Sequence, residues 1–233
     1  KRLERCRAKT EGRKRADVAA FSVRGGEGAF ELLFQARVSP PTREVAVVGD
    51  TARAYGVSKG EGSLIDVAIA DGAELLRHTN LPAFTEARFA GSGSGIGVVR
   101  TARIGEGHTE LWFISPGAEV VGTGQVPDAT SQIAAGQDAW YVGCRDGGLY
   151  AFGFDGKARW RWNTPGKIDD DNGYSRPCPY YVTWTGEQVV VSSMGSVYGI
   201  TPKGRTAWQF ELPNEPKIYT LSAPFGDGLT SHA

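Results

Sequence analysis

Tyr150, Gly156 and Trp160 return as Tyr198, Gly204 and Trp208, each 48 positions further along the chain. Three different side chains kept in step over that distance mark one structural unit used twice. A period of about 40–50 residues is the length of a small sheet that must stack on copies of itself to bury its faces. The two copies share one template. Ala139-Trp140-Tyr141-Val142-Gly143 and Gln188-Val189-Val190-Val191-Ser192 read as strands, and Asp146-Gly147-Gly148 and Met194-Gly195-Ser196 as the turns that follow. Leu149 to Phe154 and Val197 to Thr201 are the second strands. After a second turn, Asp155-Gly156-Lys157 or Pro202-Lys203-Gly204, come Arg159-Trp160-Arg161-Trp162 and Ala207-Trp208-Gln209-Phe210. Short apolar runs separated by glycine turns are the signature of antiparallel hairpins.

Fainter copies lie upstream. Leu111-Trp112-Phe113-Ile114 precedes Ser115-Pro116-Gly117, and Ile65-Asp66-Val67-Ala68-Ile69 precedes Ala70-Asp71-Gly72. The turn glycines Gly72, Gly117, Gly156 and Gly204 are therefore 45, 39 and 48 residues apart. Ala19 to Val38 reads as a further hairpin around Arg24-Gly25-Gly26-Glu27-Gly28, and Ile218 to Leu229 as the opening of a unit without its completion. The pattern predicts an all-β fold, a β-propeller of about four to six four-stranded blades, partial or truncated within this chain. A composition of 32 Gly and 12 Pro with one Met suits many short strands and few helices.

Residues 1–16 differ from the rest, with Lys1, Arg2, Arg5, Arg7, Lys9, Arg13, Lys14 and Arg15 against Glu4 and Glu11. They read as a basic helical lead-in, a solvated linker or the end of an upstream domain, with the repeat domain over 17–233. Over the whole chain 26 basic residues balance 26 acidic ones, so no overall field favours nucleic acid or anionic lipid. No apolar run reaches the roughly 18 residues of a membrane span. Cys6, Cys144 and Cys178 have no CxxC spacing, which favours a reducing compartment, the cytoplasm ahead of the periplasm, and leaves a Cys144–Cys178 bridge open.

The segment Leu149-Tyr150-Ala151-Phe152, Asp155-Gly156-Lys157 and Trp160 resembles the repeat of pyrroloquinoline-quinone-like (quinoprotein-type) propellers. Val197-Tyr198-Gly199-Ile200, Gly204 and Trp208 look like a second copy. The resemblance is strong over 135–212, weak over 44–122 and absent over 1–16. It implies blades of four antiparallel strands, with the repeated tryptophan docked between neighbouring blades. The same scaffold serves quinone-dependent dehydrogenases, an outer-membrane assembly lipoprotein and many sensors and scaffolds, so fold alone does not carry function. In the dehydrogenases vicinal cysteines lie against the quinone, and a Glu, Asn and Asp set holds calcium. Here no two cysteines are adjacent and no such set can be matched, so no cofactor or metal is expected.

Of the candidate residues, Tyr150, Gly156, Trp160, Tyr198, Gly204 and Trp208 read as repeat architecture, because they occupy equivalent positions. Residues 163–181 form the longest irregular connection, and long loops on rigid scaffolds carry recognition. Asp169, Asp170, Asp171, Asn172, Tyr174, Arg176, Tyr180 and Tyr181 are therefore the expected partner contacts. A calcium loop would need an oxygen ligand where Ile168 stands, so a protein-contact loop is the better reading. Gly91-Ser92-Gly93-Ser94-Gly95-Ile96-Gly97 lacks the Lys-Ser or Lys-Thr of a phosphate loop and precedes Val98-Val99-Arg100-Thr101-Ala102, which reads as a strand. Its two overlapping Gly-flanked pentads carry Gly at the centre, where a nucleophile elbow has Ser. His78, His108 and His232 stand at no metal-ligand spacing. The expected function is thus a non-catalytic propeller scaffold that contacts other proteins. Its alternatives are a quinone-dependent dehydrogenase propeller and a factor resembling the outer-membrane assembly lipoprotein.

Overall fold

The computed structural model describes residues 16–23, 30–38, 42–58, 61–82, 86–90, 97–101, 107–166 and 177–211. Strands β1 (Ala16–Val23) and β2 (Phe30–Val38) form the expected antiparallel hairpin. Ala16 opens β1 opposite Val38, so the strand begins one residue inside the stretch read as a helical lead-in. The remainder of that lead-in, the Ile218 to Leu229 segment and His232 lie outside the described residues.

Four antiparallel sheets follow, each with its strands in chain order. The first is β3 (Thr42–Val48), β4 (Thr51–Ser58), β5 (Glu61–Ala68) and β6 (Glu74–Pro82). The second is β7 (Glu86–Phe89), β8 (Gly97–Thr101), β9 (Thr109–Ile114) and β10 (Val120–Val126). The third is β11 (Ala134–Ala135), β12 (Ala139–Gly143), β13 (Gly148–Gly153) and β14 (Ala158–Asn163). The fourth is β15 (Tyr181–Trp184), β16 (Val189–Ser193), β17 (Ser196–Ile200) and β18 (Thr206–Glu211). The first strands β3, β7, β11 and β15 lie next to one another in that order. The sheets therefore stack around a common line with their first strands innermost.

Apolar side chains fill the spaces between successive sheets. Tyr55 and Leu64 of the first sheet meet Ile114 and Ala118 of the second. Leu111 and Phe113 of the second meet Trp140, Val142 and Phe152 of the third. Tyr141, Leu149 and Trp162 of the third meet Val189, Val191, Tyr198 and Ile200 of the fourth. Burying one such side chain contributes about 1.5–3 kcal/mol, so no sheet is stable without its neighbour.

The turn between the third and fourth strands of a sheet is where the preceding sheet grips it, and each of three interfaces does so with different chemistry. Arg53 of β4 donates through Nη1 to the Ser115 carbonyl at 3.4 Å while its guanidinium is paired with Asp66. At the next interface Phe113 lies on Gly156, where an added Cβ would sit 2.7 Å from the ring, and Gly122 leaves room for the Asp155 carbonyl. At the third, Trp160 lies on Gly204 and donates its indole N–H to the Pro202 carbonyl at 2.8 Å, while Trp162 donates to Thr206 Oγ1 at 2.9 Å. These turns pass through a left-handed residue, with φ of 66° at Ala118, 80° at Gly156 and 75° at Gly204. A residue with a side chain pays strain there, which is why glycine stands at Gly72, Gly156 and Gly204, whereas in the second sheet Ala118 takes that position in place of the expected Gly117.

The tryptophan position differs between copies. Trp160 is half-buried under the fourth sheet, whereas its equivalent Trp208 is 39% exposed, lies over Gly199 of its own sheet and donates to Gln188 Oε1 at 3.1 Å. The equivalent tyrosines diverge as well. Tyr198 is buried against Trp162 at a centroid distance of 5.2 Å, whereas Tyr150 is half-buried and bonds to Asp146.

Candidate functional site

Alternating strand direction puts two kinds of segment at the same end of the stack: the turns between second and third strands, and the connections that lead from one sheet into the next. At this end the turn Cys144–Gly147 and the turn Met194–Gly195 flank the stem Pro177–Tyr180. Four bonds hold the stem between the third and fourth sheets. Tyr180 N donates to Ser192 O at 3.1 Å, Ser193 Oγ to Cys178 O at 2.8 Å, Cys178 Sγ to Arg145 O at 3.0 Å and Thr130 Oγ1 to Pro179 O at 2.6 Å. Gly143 admits this approach, because a Cβ there would fall 2.6 Å from Pro179 Cβ.

The stem presents Tyr180, 39% exposed, and the neighbouring turn presents Met194, 53% exposed. Ser193 and Ser196 pair directly, so Met194 and Gly195 are the two central residues of a tight hairpin turn. Their φ angles are 37° and 82°. Both positions of such a turn demand the left-handed region, where Asn, Asp or Gly is the ordinary occupant. A methionine there carries backbone strain of about 1–2 kcal/mol and displays an apolar side chain to water. Neither feature helps the fold.

The equivalent turn of the third sheet is polar. Asp146 Oδ2 accepts from Tyr150 Oη at 2.7 Å and from Arg161 Nη2 at 2.7 Å, and Asp146 Oδ1 accepts from Gly148 N at 2.9 Å. The Arg161 guanidinium also lies 5.2 Å from the centre of the Tyr150 ring. Burial and the bond to the Asp146 carboxylate push the Tyr150 phenol well above its usual range. The result is a preorganised charged corner on one of the two turns that flank the stem, with the exposed Met194 on the other.

Of the expected contact residues, Tyr180 and Tyr181 are in the described part. Tyr180 is on the surface, whereas Tyr181 is half-buried as the first residue of β15, opposite Ser192. Asp169, Asp170, Asp171, Asn172, Tyr174 and Arg176 lie outside the described residues. Cys144 and Cys178 are both buried, and the bridge between them that the sequence left open is not formed. Val98 to Thr101 of the expected strand lie in β8, which Gly97 opens, whereas Ala102 and Gly91 to Ile96 lie outside the described residues. Among the described residues no three His, Cys, Asp or Glu side chains gather to hold a metal, and no helix is long and apolar enough to cross a membrane. Sequence reasoning passed over Met194, Asp146 and Arg161. The 48-residue offset was the available signal, since it aligns Met194 with Asp146 and so sets an apolar residue where the other copy has a turn former.

No protein-family model matches the sequence, and no curated protein matches it. Solved structures do share its fold. The Dos1 propeller superposes with a TM-score of 0.56 at 12% identity, over 87% of this chain and 55% of that one. The AfRom2 CNH domain superposes with a TM-score of 0.53 at 11% identity, over 95% of this chain and 76% of that one. The BBS1N chain, solved in complex with ARL6DN, gives a TM-score of 0.49 at 13% identity, over 85% of this chain and 62% of that one. This chain thus spans less than two thirds of the Dos1 and BBS1N chains. The four-stranded sheets and the likeness to the Dos1 propeller show that the fold is of the β-propeller type.

Proposed function

We propose that this chain is a non-catalytic propeller scaffold that binds another protein at the end of the stack carrying Tyr180 and Met194. One observation carries the reading. Met194 holds a strained backbone conformation that an ordinary turn residue would relieve, and it spends that strain on an exposed apolar side chain. Strain kept at an exposed position points to a demand other than folding. Methionine adapts its shape to a partner, tyrosine adds a rigid amphipathic ring, and both are favoured in protein interfaces. The Asp146–Arg161 pair on the turn at the other side of the stem supplies polar complementarity at the rim. The loop residues Asp169, Asp170, Asp171, Asn172, Tyr174 and Arg176 belong to the same connection as Tyr180 and extend the proposed contact.

Met194 is the one methionine of this chain, which makes the reading directly testable. Photo-activatable methionine placed at this position in the source cells is expected to cross-link to a discrete protein, and the Tyr180→Ala variant to lose that product. Cross-linking to water alone, or products unchanged by Tyr180→Ala, would overturn the assignment of this face.

A further inference from the structure

An aromatic residue stands at one repeated place in the last three sheets. Trp112, Tyr150 and Tyr198 each come six residues before the left-handed turn residue, Ala118, Gly156 or Gly204. Their cross-strand partners on the outer strand are Thr123, Arg161 and Gln209. In the third sheet the pair is a complete unit, with the Arg161 guanidinium 5.2 Å from the centre of the Tyr150 ring and tied to the Asp146 carboxylate at 2.7 Å. In the second sheet the ring is kept and the arginine is not, because Thr123 has no cation to place over the indole. A groove of about 330 Å³ opens there, lined by Glu110, Trp112, Thr123, Gly124 and Gln125. That volume is at the small end for a ligand site, a size for one side chain rather than a large cofactor.

The residues around the groove suit a cation. Glu110 comes two positions before Trp112 and so lies on the same face of β9, and the cross-strand partners Gln125 and Thr123 share that face. Trp112 packs against the apolar cluster shared with the first sheet and its Nε1 is buried, so the surface it gives the groove is ring carbon. Among the described residues the Glu110 carboxylate forms no ion pair, and the side chains of Thr123 and Gln125 form no hydrogen bond. An aromatic ring attracts a cation, and a carboxylate within reach adds a charge-assisted hydrogen bond. A planar guanidinium satisfies both at once, as Arg161 does in the third sheet. We infer that this groove binds the guanidinium of an arginine side chain presented by the partner protein, lying on Trp112 and paired with Glu110. Strand β9 opens and β10 closes at the end of the stack that carries Tyr180 and Met194, so Glu110 and Gln125 lie toward the proposed contact face.

This assignment rests on the reading that the chain binds another protein, whereas its first test does not. The chain labelled with 5-fluorotryptophan gives a fluorine resonance for each of its six tryptophans, and Trp112→Phe identifies the one that belongs to Trp112. Titration with N-acetyl-arginine amide is expected to move that resonance saturably, and N-acetyl-citrulline amide, close in shape but uncharged, to leave it in place. Glu110→Gln is expected to weaken the arginine response on the order of tenfold, by removing the charged partner. Thr123→Arg is expected to abolish it, since an internal guanidinium then covers the ring as Arg161 covers Tyr150. Glu110 and Thr123 are exposed, so both variants keep the fold, and the remaining tryptophan resonances serve as the control. No shift with arginine, an equal shift with citrulline, or an undiminished response in Glu110→Gln would overturn the site. In the source cells Glu110→Gln is expected to lower the yield of the Met194 cross-link, and an unchanged yield beside a positive titration would overturn the partner's arginine as the ligand. Absence of any Met194 cross-link, with the titration intact, would instead overturn the partner reading alone.

Discussion

Arg53 and Asp66 face each other across β4 and β5, and the guanidinium meets the carboxylate through two hydrogen bonds of 2.9 and 2.8 Å with both residues buried. The fork geometry satisfies both ions, and the remaining Arg53 nitrogen reaches the Ser115 carbonyl of the next sheet. A buried ion pair gains less than its geometry suggests, because both charges lost water, but a lone survivor is costly.

The two residues should therefore behave as a unit. Asp66→Ala alone is expected to cost about 3–5 kcal/mol by leaving the Arg53 charge buried. The joint change Arg53→Met, Asp66→Leu is expected to cost less than either single change. Urea denaturation of the double variant, of its two single components and of Asp66→Ala checks the order, and a double variant as unstable as the sum of the singles would show that the pair is not the unit.

Stability should fall in alkali through Tyr150. Burial first, and the bond to Asp146 second, raise its phenol above the usual tyrosine value of 10.0. Below that pH both folded and unfolded chains hold the proton, so the contribution is complete. As pH rises past it the unfolded chain ionises while the folded phenol does not, and stability is lost. Tyr141 is raised in the same direction, mainly by burial. The fall above pH 10 is accordingly expected to be shallower in Tyr150→Phe but not abolished, as thermal midpoints measured against pH will show.

Met194→Asn should stabilise the isolated protein. Asparagine accepts the left-handed conformation more readily, so a gain of about 1 kcal/mol is expected, or about 2–4 °C in the melting midpoint. The same substitution should weaken binding of the partner that the cross-link at Met194 identifies. A variant that is both less stable and fully competent to bind would contradict the assignment of Met194.

Much of the fold was legible in the sequence, for identifiable reasons. The strands of the last two sheets fall where glycine turns punctuate alternating aromatic and apolar residues, so β13, β14, β17 and β18 lie within a residue or two of the expected limits. The inner strands were not legible. Strand β11 has two residues and β15 has four, too short to establish a period, and Tyr181 therefore read as loop. The Arg53–Asp66 pair escaped because opposing residues on adjacent strands leave no local motif. Local sequence also could not separate Trp160 from Trp208. The two have the same position in the repeat, and whether a neighbouring sheet covers that position is a property of the stack.

The third and fourth sheets grip one another through Trp160 and Gly204, and a double-mutant cycle on that pair measures the grip. Gly204→Ala carries two costs, the left-handed φ of 75° and the encroachment on the Trp160 ring. Only the first remains once Trp160 is replaced by alanine. Stacked sheets predict that Gly204→Ala is less costly in the Trp160→Ala background by at least about 1 kcal/mol, as contacting residues should be. Strict additivity of the two changes, within about 0.5 kcal/mol, would mean that the indole and the turn do not meet and that the sheets do not stack this way.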